Sequence, residues 1–175
     1  MSVVINASTT SGLVMTSDLS GSLQFQNNGI NLPMGGVAPA FSAYGTAGQS
    51  LANGVFTKIA FNTELFDTNS NYDSTTNYRF TPTVAGYYQI NANIFTSASA
   101  AGLAFIVVYK NGSTYCNGNI VPNTNGGYIT ANCLVQCNGS TDYIEIYAYQ
   151  NSGVSLTFGS STSAFQFSGC LVRGA

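Results

Sequence analysis

Histidine is absent from this chain, and charge of either sign is scarce: four Lys+Arg and six Asp+Glu in 175 residues, 6 % of the total. Without histidine, general acid–base chemistry at neutral pH would fall to six carboxylates. Among these only Glu64 and Asp67 stand close together, so glycoside hydrolysis by a carboxylate pair is the one enzymatic reading left. Lys58, Arg79, Lys110 and Arg173 are scattered and the net charge is −2, which leaves no basic footprint for nucleic acid. No run approaches the roughly 18 apolar residues of a membrane span. The start, Met1-Ser2-Val3-Val4-Ile5-Asn6, lacks the basic and apolar regions of a secretory signal, so folding is expected in the cytoplasm that makes the chain. An ordinary soluble domain is roughly 25 % charged. A surface this poor in charge is expected to be covered largely by partner subunits.

What is present is β-forming. Eleven Tyr, eleven Phe and nineteen Gly, with Asn/Ser/Thr-rich connections, predict short strands and turns, and strong helix formers are few. Val55 to Phe61 and Tyr143 to Tyr149 alternate, whereas Leu103 to Tyr109 is apolar on both faces. Roughly eight to ten strands are expected. The two-sided segments call for a second cover beyond the sandwich core, so Phe105, Val107, Phe165, Phe167 and Leu171 are candidates for a subunit interface. Asn111-Gly112 and Asn138-Gly139 each follow an apolar run and predict hairpin turns.

Cys133 and Cys137 share one strand face with Ile129, Ala131 and Val135, a core stripe. With Cys116 and Cys170 they are expected to be free thiols. Neither their spacing nor the lack of histidine suits zinc. Glu64, Asp67 and Asp73 are expected in a polar loop with Asn69, Asn71 and Asn77. Calcium there is the alternative to no cofactor at all, although the spacing matches no defined calcium loop.

A boundary at Met34 to Pro39 separates residues 1–36 from residues 37–175. The short part holds only brief apolar patches. Leu23/Phe25 and Ile30/Leu32 flank Asn27-Asn28-Gly29 and predict a small hairpin, too small to bury a core alone.

The stretch Phe80-Thr81-Pro82-Thr83-Val84-Ala85-Gly86-Tyr87-Tyr88-Gln89-Ile90 resembles the signature of the C1q-like globular head, a relative of the tumour-necrosis-factor jelly roll. Phe61, Asp67 and Tyr72 match upstream signature positions, Pro39 to Tyr44 looks like the opening strand, and Phe165 to Gly169 belongs to a segment like the closing one. The Tyr72 to Phe80 spacing is one residue longer than in the family pattern, and Ile90 and Ala92 replace usual aromatics. The resemblance implies an all-β jelly-roll sandwich that forms a homotrimer. Some such heads bind calcium. The segment from Val4 to Gly29 is similar to the N-terminal part of bacteriophage fibre-like proteins. Together the two resemblances imply a virion surface protein: an arm carrying Leu23, Phe25, Ile30 and Leu32 attaches to other virion proteins, and a trimeric head faces outward. A tail-fibre or adhesin role is expected, with a host glycan or protein as receptor and no receptor residue assigned. The alternatives are a capsid decoration protein, a cellular C1q-like ligand, and a depolymerase.

Overall fold

The computed structural model describes residues 25–27, 30–32, 38–97, 99, 101–159 and 165–175. The chain divides into two units, residues 1–38 and 39–175, each described by itself. In the first, β1 (Phe25–Asn27) and β2 (Ile30–Leu32) pair antiparallel, with Phe25 opposite Leu32 and Asn27 opposite Ile30. The Asn28-Gly29 connection expected between them lies outside the described residues. Leu23 lies outside the described residues.

The second unit is a two-sheet antiparallel sandwich. Its strands are β3 (Ala40–Tyr44), β4 (Gln49–Leu51), β5 (Thr57–Lys58), β6 (Thr63–Asp67), β7 (Tyr72–Asp73), β8 (Arg79–Phe80), β9 (Gly86–Thr96), β10 (Leu103–Lys110), β11 (Ser113–Pro122), β12 (Gly127–Cys137), β13 (Ile144–Gln150), β14 (Leu156–Phe158) and β15 (Phe165–Gly174). One sheet runs β4-β14-β9-β15-β3-β6, with β12 on the other edge of β9; the second runs β11-β10-β13-β8-β7, with β5 also on β13. Sequence neighbours thus repeatedly change sheets, which places the apolar side of every long strand against the opposite sheet. Along β9 burial alternates strictly: Tyr88, Ile90, Ala92 and Ile94 are buried, and Tyr87, Gln89, Asn91 and Asn93 only in part.

Aromatic rings fill the interior. Phe41 stacks on Phe80 with centroids 4.3 Å apart and on Tyr72 at 5.1 Å, and Phe167 meets Phe41 edge-on at 4.9 Å. Phe61 packs against Phe165 at 4.9 Å and Phe167 at 5.4 Å. Such pairs add about 0.5–1.5 kcal/mol each beyond their area burial.

Four expectations need correction. Phe165 and Phe167, 1 % and 0 % exposed, belong to the interior of their own subunit, because the parity of β15 turns them toward the opposite sheet. Leu171 is half-buried against the same core. On β10 the second apolar face is covered by the chain itself: Phe56, just before β5, lies 5.8 Å from Phe105 and 6.4 Å from Tyr109, bridging the fully buried Val107 between them. Asn138-Gly139 is not a hairpin turn, since β12 pairs β9 in one sheet and β13 pairs β10 in the other. Lastly, Thr63–Asp67, expected as loop, is strand β6 on the outer edge of β3, while Val55 to Phe61 yields only the two-residue β5.

Candidate interaction surfaces

The residues singled out by the signature converge on structural work. Tyr72 Oη donates to the Phe61 carbonyl at 2.9 Å, and burial together with Glu64 and Asp73 holds its hydroxyl protonated far above the ordinary tyrosine range. Tyr88 Oη donates to the Val84 carbonyl at 2.7 Å, and burial pushes its pKa up to about 12. Asp67 accepts from the backbone N–H groups of Asn69 and Tyr72, fixing the turn from β6 to β7. Gly86 and Gly169 are required by close approach: a Cβ on Gly86 would stand 2.4 Å from the Arg173 carbonyl oxygen, and one on Gly169 2.8 Å from Ile90 Cδ1 and 2.9 Å from the Phe41 ring. Phe80, Phe61 and Phe165 complete the same core.

The carboxylates of the described residues are all engaged by the fold. Glu64 accepts from Ser74 Oγ. Asp73 accepts from the N–H groups of Thr76, Thr75 and Asn77 and is held below the ordinary carboxylate range by these bonds. Asp142 is held low first by the Asn111 amide and then by Lys110, whose Nζ lies 2.9 Å away. Glu145, nearly buried, pairs with Lys58 at 2.5 Å. Among the described residues no three His, Cys, Asp or Glu side chains converge as a metal set. Asp67 and Asp73 each cap a separate turn, and Glu64 is taken up by the Ser74 hydroxyl.

Two outer faces remain for interaction. On the first sheet, register places Asn132, Asn91, Ser168 and Ser42 in one row across β12, β9, β15 and β3; Thr130, Asn93, Gln166 and Tyr44 form the next. Tyr128, Leu134 and Val172 stand exposed on this face or at its rim, 51 %, 50 % and 61 % open. Arg173 at the end of β15 is the only charged residue on these four strands, so the face is neutral and rich in amides and hydroxyls with apolar anchors. None of the sequence-based interface candidates lies on it. Parity along β12 was the available signal, because Leu134 alternates with Cys133 and Val135 of the core stripe.

On the second sheet an aromatic band crosses the outer face. Phe56, exposed, contacts Tyr149 at 4.9 Å, Phe105 contacts Tyr149 at 5.2 Å, and Tyr109 stacks on Tyr147 at 4.2 Å. Lys58 lies 5.9 Å from the Tyr147 centroid and Arg79 4.5 Å from that of Tyr143, both cation–π arrangements. Phe105 and Val107 belong to this band, and each is partly or fully covered within the subunit.

No family model matches the chain, and neither does any curated protein. Solved structures do. PRD1 vertex protein P5 is similar over 79 % of this chain and 99 % of its own, at 17 % identity and a TM-score of 0.55. Murine APRIL is similar over 78 % of this chain and 100 % of its own, at 8 % identity and 0.57. Eiger, a TNF from S. frugiperda, is similar over 79 % and 94 %, at 9 % identity and 0.52. The fold is therefore the all-β, TNF-like jelly roll.

Proposed function

We propose that this chain is a non-enzymatic bacteriophage virion protein: a homotrimer whose jelly-roll head, residues 37–175, is displayed on the particle, with residues 1–36 as its attachment arm and host attachment as its task. The observation that carries the reading is the likeness to PRD1 vertex protein P5, a virion protein by its name, over almost the whole of that chain. Similarity to TNF proteins and a neutral, weakly charged outer sheet with exposed Leu134, Tyr128 and Val172 support self-association of the head. A catalytic role is disfavoured by carboxylates already committed to turns and ion pairs.

Antibody fragments raised against the head should gold-label intact particles and block adsorption to host cells. Absence of label on the particle overturns the proposal. A second reading, a decoration or head-fibre protein seated on the capsid, is favoured by the word "vertex" in the name of P5. Label confined to the capsid, with adsorption unimpaired, selects it over the tail-fibre role.

A further inference from the structure

Strands β11 and β12 are the terminal strands of opposite sheets on the same side of the sandwich, and their backbones draw together there. Facing sheets ordinarily stand about 10 Å apart, too far for a disulfide, which needs Cα atoms roughly 4.4–6.8 Å apart. At this edge the gap is closed. A Cβ on Gly118 would lie 2.3 Å from the Thr130 carbonyl oxygen, so only glycine admits the approach. Asn119 Oδ1 accepts from the Thr130 N–H at 2.5 Å and its Nδ2 donates to the Tyr128 carbonyl, while Tyr115 Oη donates to the Leu134 carbonyl at 3.1 Å. These two ties, Asn119 to Thr130 and Tyr115 to Leu134, share one antiparallel register, which sets Cys116 opposite Cys133. Both cysteines point inward: Cys116 pairs in its sheet with the buried Val108, and Cys133 with the buried Ile90.

We propose that Cys116 and Cys133 are an oxidative cross-linking site, at which a small-molecule disulfide converts two free thiols into a covalent staple between the two sheets. The two thiols are not joined by a disulfide in the structure, and Cys116 Sγ donates to the Asn117 carbonyl at 3.6 Å. Both are half-buried, so a small reagent reaches them at the edge, whereas Cys137 is sealed in the core and Cys170 is exposed on the outer face, away from the pair. Burial, aided by Cys116, raises the Cys133 pKa to about 12, which makes that thiol a slow nucleophile at neutral pH. In the reaction one protein thiolate attacks the small disulfide, forming a mixed disulfide and expelling a thiolate. The second protein sulfur gives its proton to water, attacks the protein-side sulfur of the mixed disulfide and expels the other. Two protein thiols are oxidised, one small disulfide is reduced to two thiols, and those take up the two protons released.

The full-length protein incubated with oxidised glutathione at pH 9, then alkylated and digested without reductant, should yield one intrachain peptide pair joining Cys116 to Cys133. The cross-link closes a short loop of the unfolded chain, and the melting temperature should rise by about 5–10 °C and fall back on reduction. Cys116→Ser and Cys133→Ala should each abolish both effects, and Cys170→Ser should abolish neither. Peptide mapping of the unmutated protein stands even where a variant folds poorly. Glutathione adducts alone, a pair involving Cys137 or Cys170, an interchain pair, or an unchanged melting temperature after complete cross-linking would overturn the proposal.

Discussion

Gly86 and Gly169 are fixed by what a single added carbon would strike. Gly169→Ala meets the flexible end of Ile90 and the Phe41 ring, which can yield by a few tenths of an ångström, so overpacking should cost about 1–3 kcal/mol. Gly86→Ala meets a backbone carbonyl of β15 and should cost more than Gly169→Ala in the same urea titration; the reverse order would refute the steric account. Two aspartates make the residue-scale prediction on pH. Asp73 and Asp142 have folded-state pKa values below the ordinary carboxylate value of about 4, so their stabilisation is complete above that value and is lost as pH falls through the folded values. The urea midpoint should be nearly flat from pH 7 to 5 and fall below pH 4. The double variant Asp73→Asn, Asp142→Asn should be less stable at pH 7 and show a shallower acid decline.

At the scale of the element, the β10–β11 turn shows how much a dipeptide can specify. Asn111 and Gly112 both adopt positive φ, 53° and 75°, as a two-residue hairpin demands, and the Asn111 side chain also accepts from the Tyr143 N–H and donates to Asp142. Asn138-Gly139 carries the same sequence signal and has another task. There Asn138 Oδ1 accepts from the N–H groups of Ser140, Thr141 and Asp142 as the chain passes from one sheet to the other. The dipeptide is local, while the choice of sheet depends on the partners of β12 and β13, so the sequence could not separate the two cases. The core was legible because burial alternates along β9 and because Phe61, Tyr72, Phe80 and Tyr88 all stand at signature positions. The interaction faces were less so. Apolarity on both sides of β10 has the same pattern whether a second subunit or the chain's own Phe56 supplies the cover. Phe56→Ala should therefore destabilise an isolated head by about 1–2 kcal/mol, less than a fully buried phenylalanine because the ring is 44 % exposed. If that variant instead dissociates the assembly without altering subunit stability, β10 is an intersubunit strand after all.

For the whole molecule, low charge becomes a question of which neutral surface is hidden. The aromatic band of the second sheet is largely self-covered, its rings packed on one another and anchored by the Lys58–Glu145 pair. The outer face of the first sheet is less so: its amide rows are half-buried except at the exposed Asn132, and Tyr128, Leu134 and Val172 stand exposed around them. Burying such a face in a closed assembly satisfies its apolar anchors, and cyclic symmetry stops association at a finite size. Two substitutions separate folding from assembly. Phe167→Asp places an unpaired charge in the subunit interior and should abolish the folded head, seen as loss of a cooperative melt. Leu134→Arg places charge on the exposed face and should leave the β-sheet circular dichroism intact while light scattering reports a monomer in place of the proposed trimer. A Leu134→Arg protein that remains trimeric at micromolar concentration would move the threefold contact off this face, leaving the edge formed by Leu65 and Phe66 on β6 as the next surface to charge.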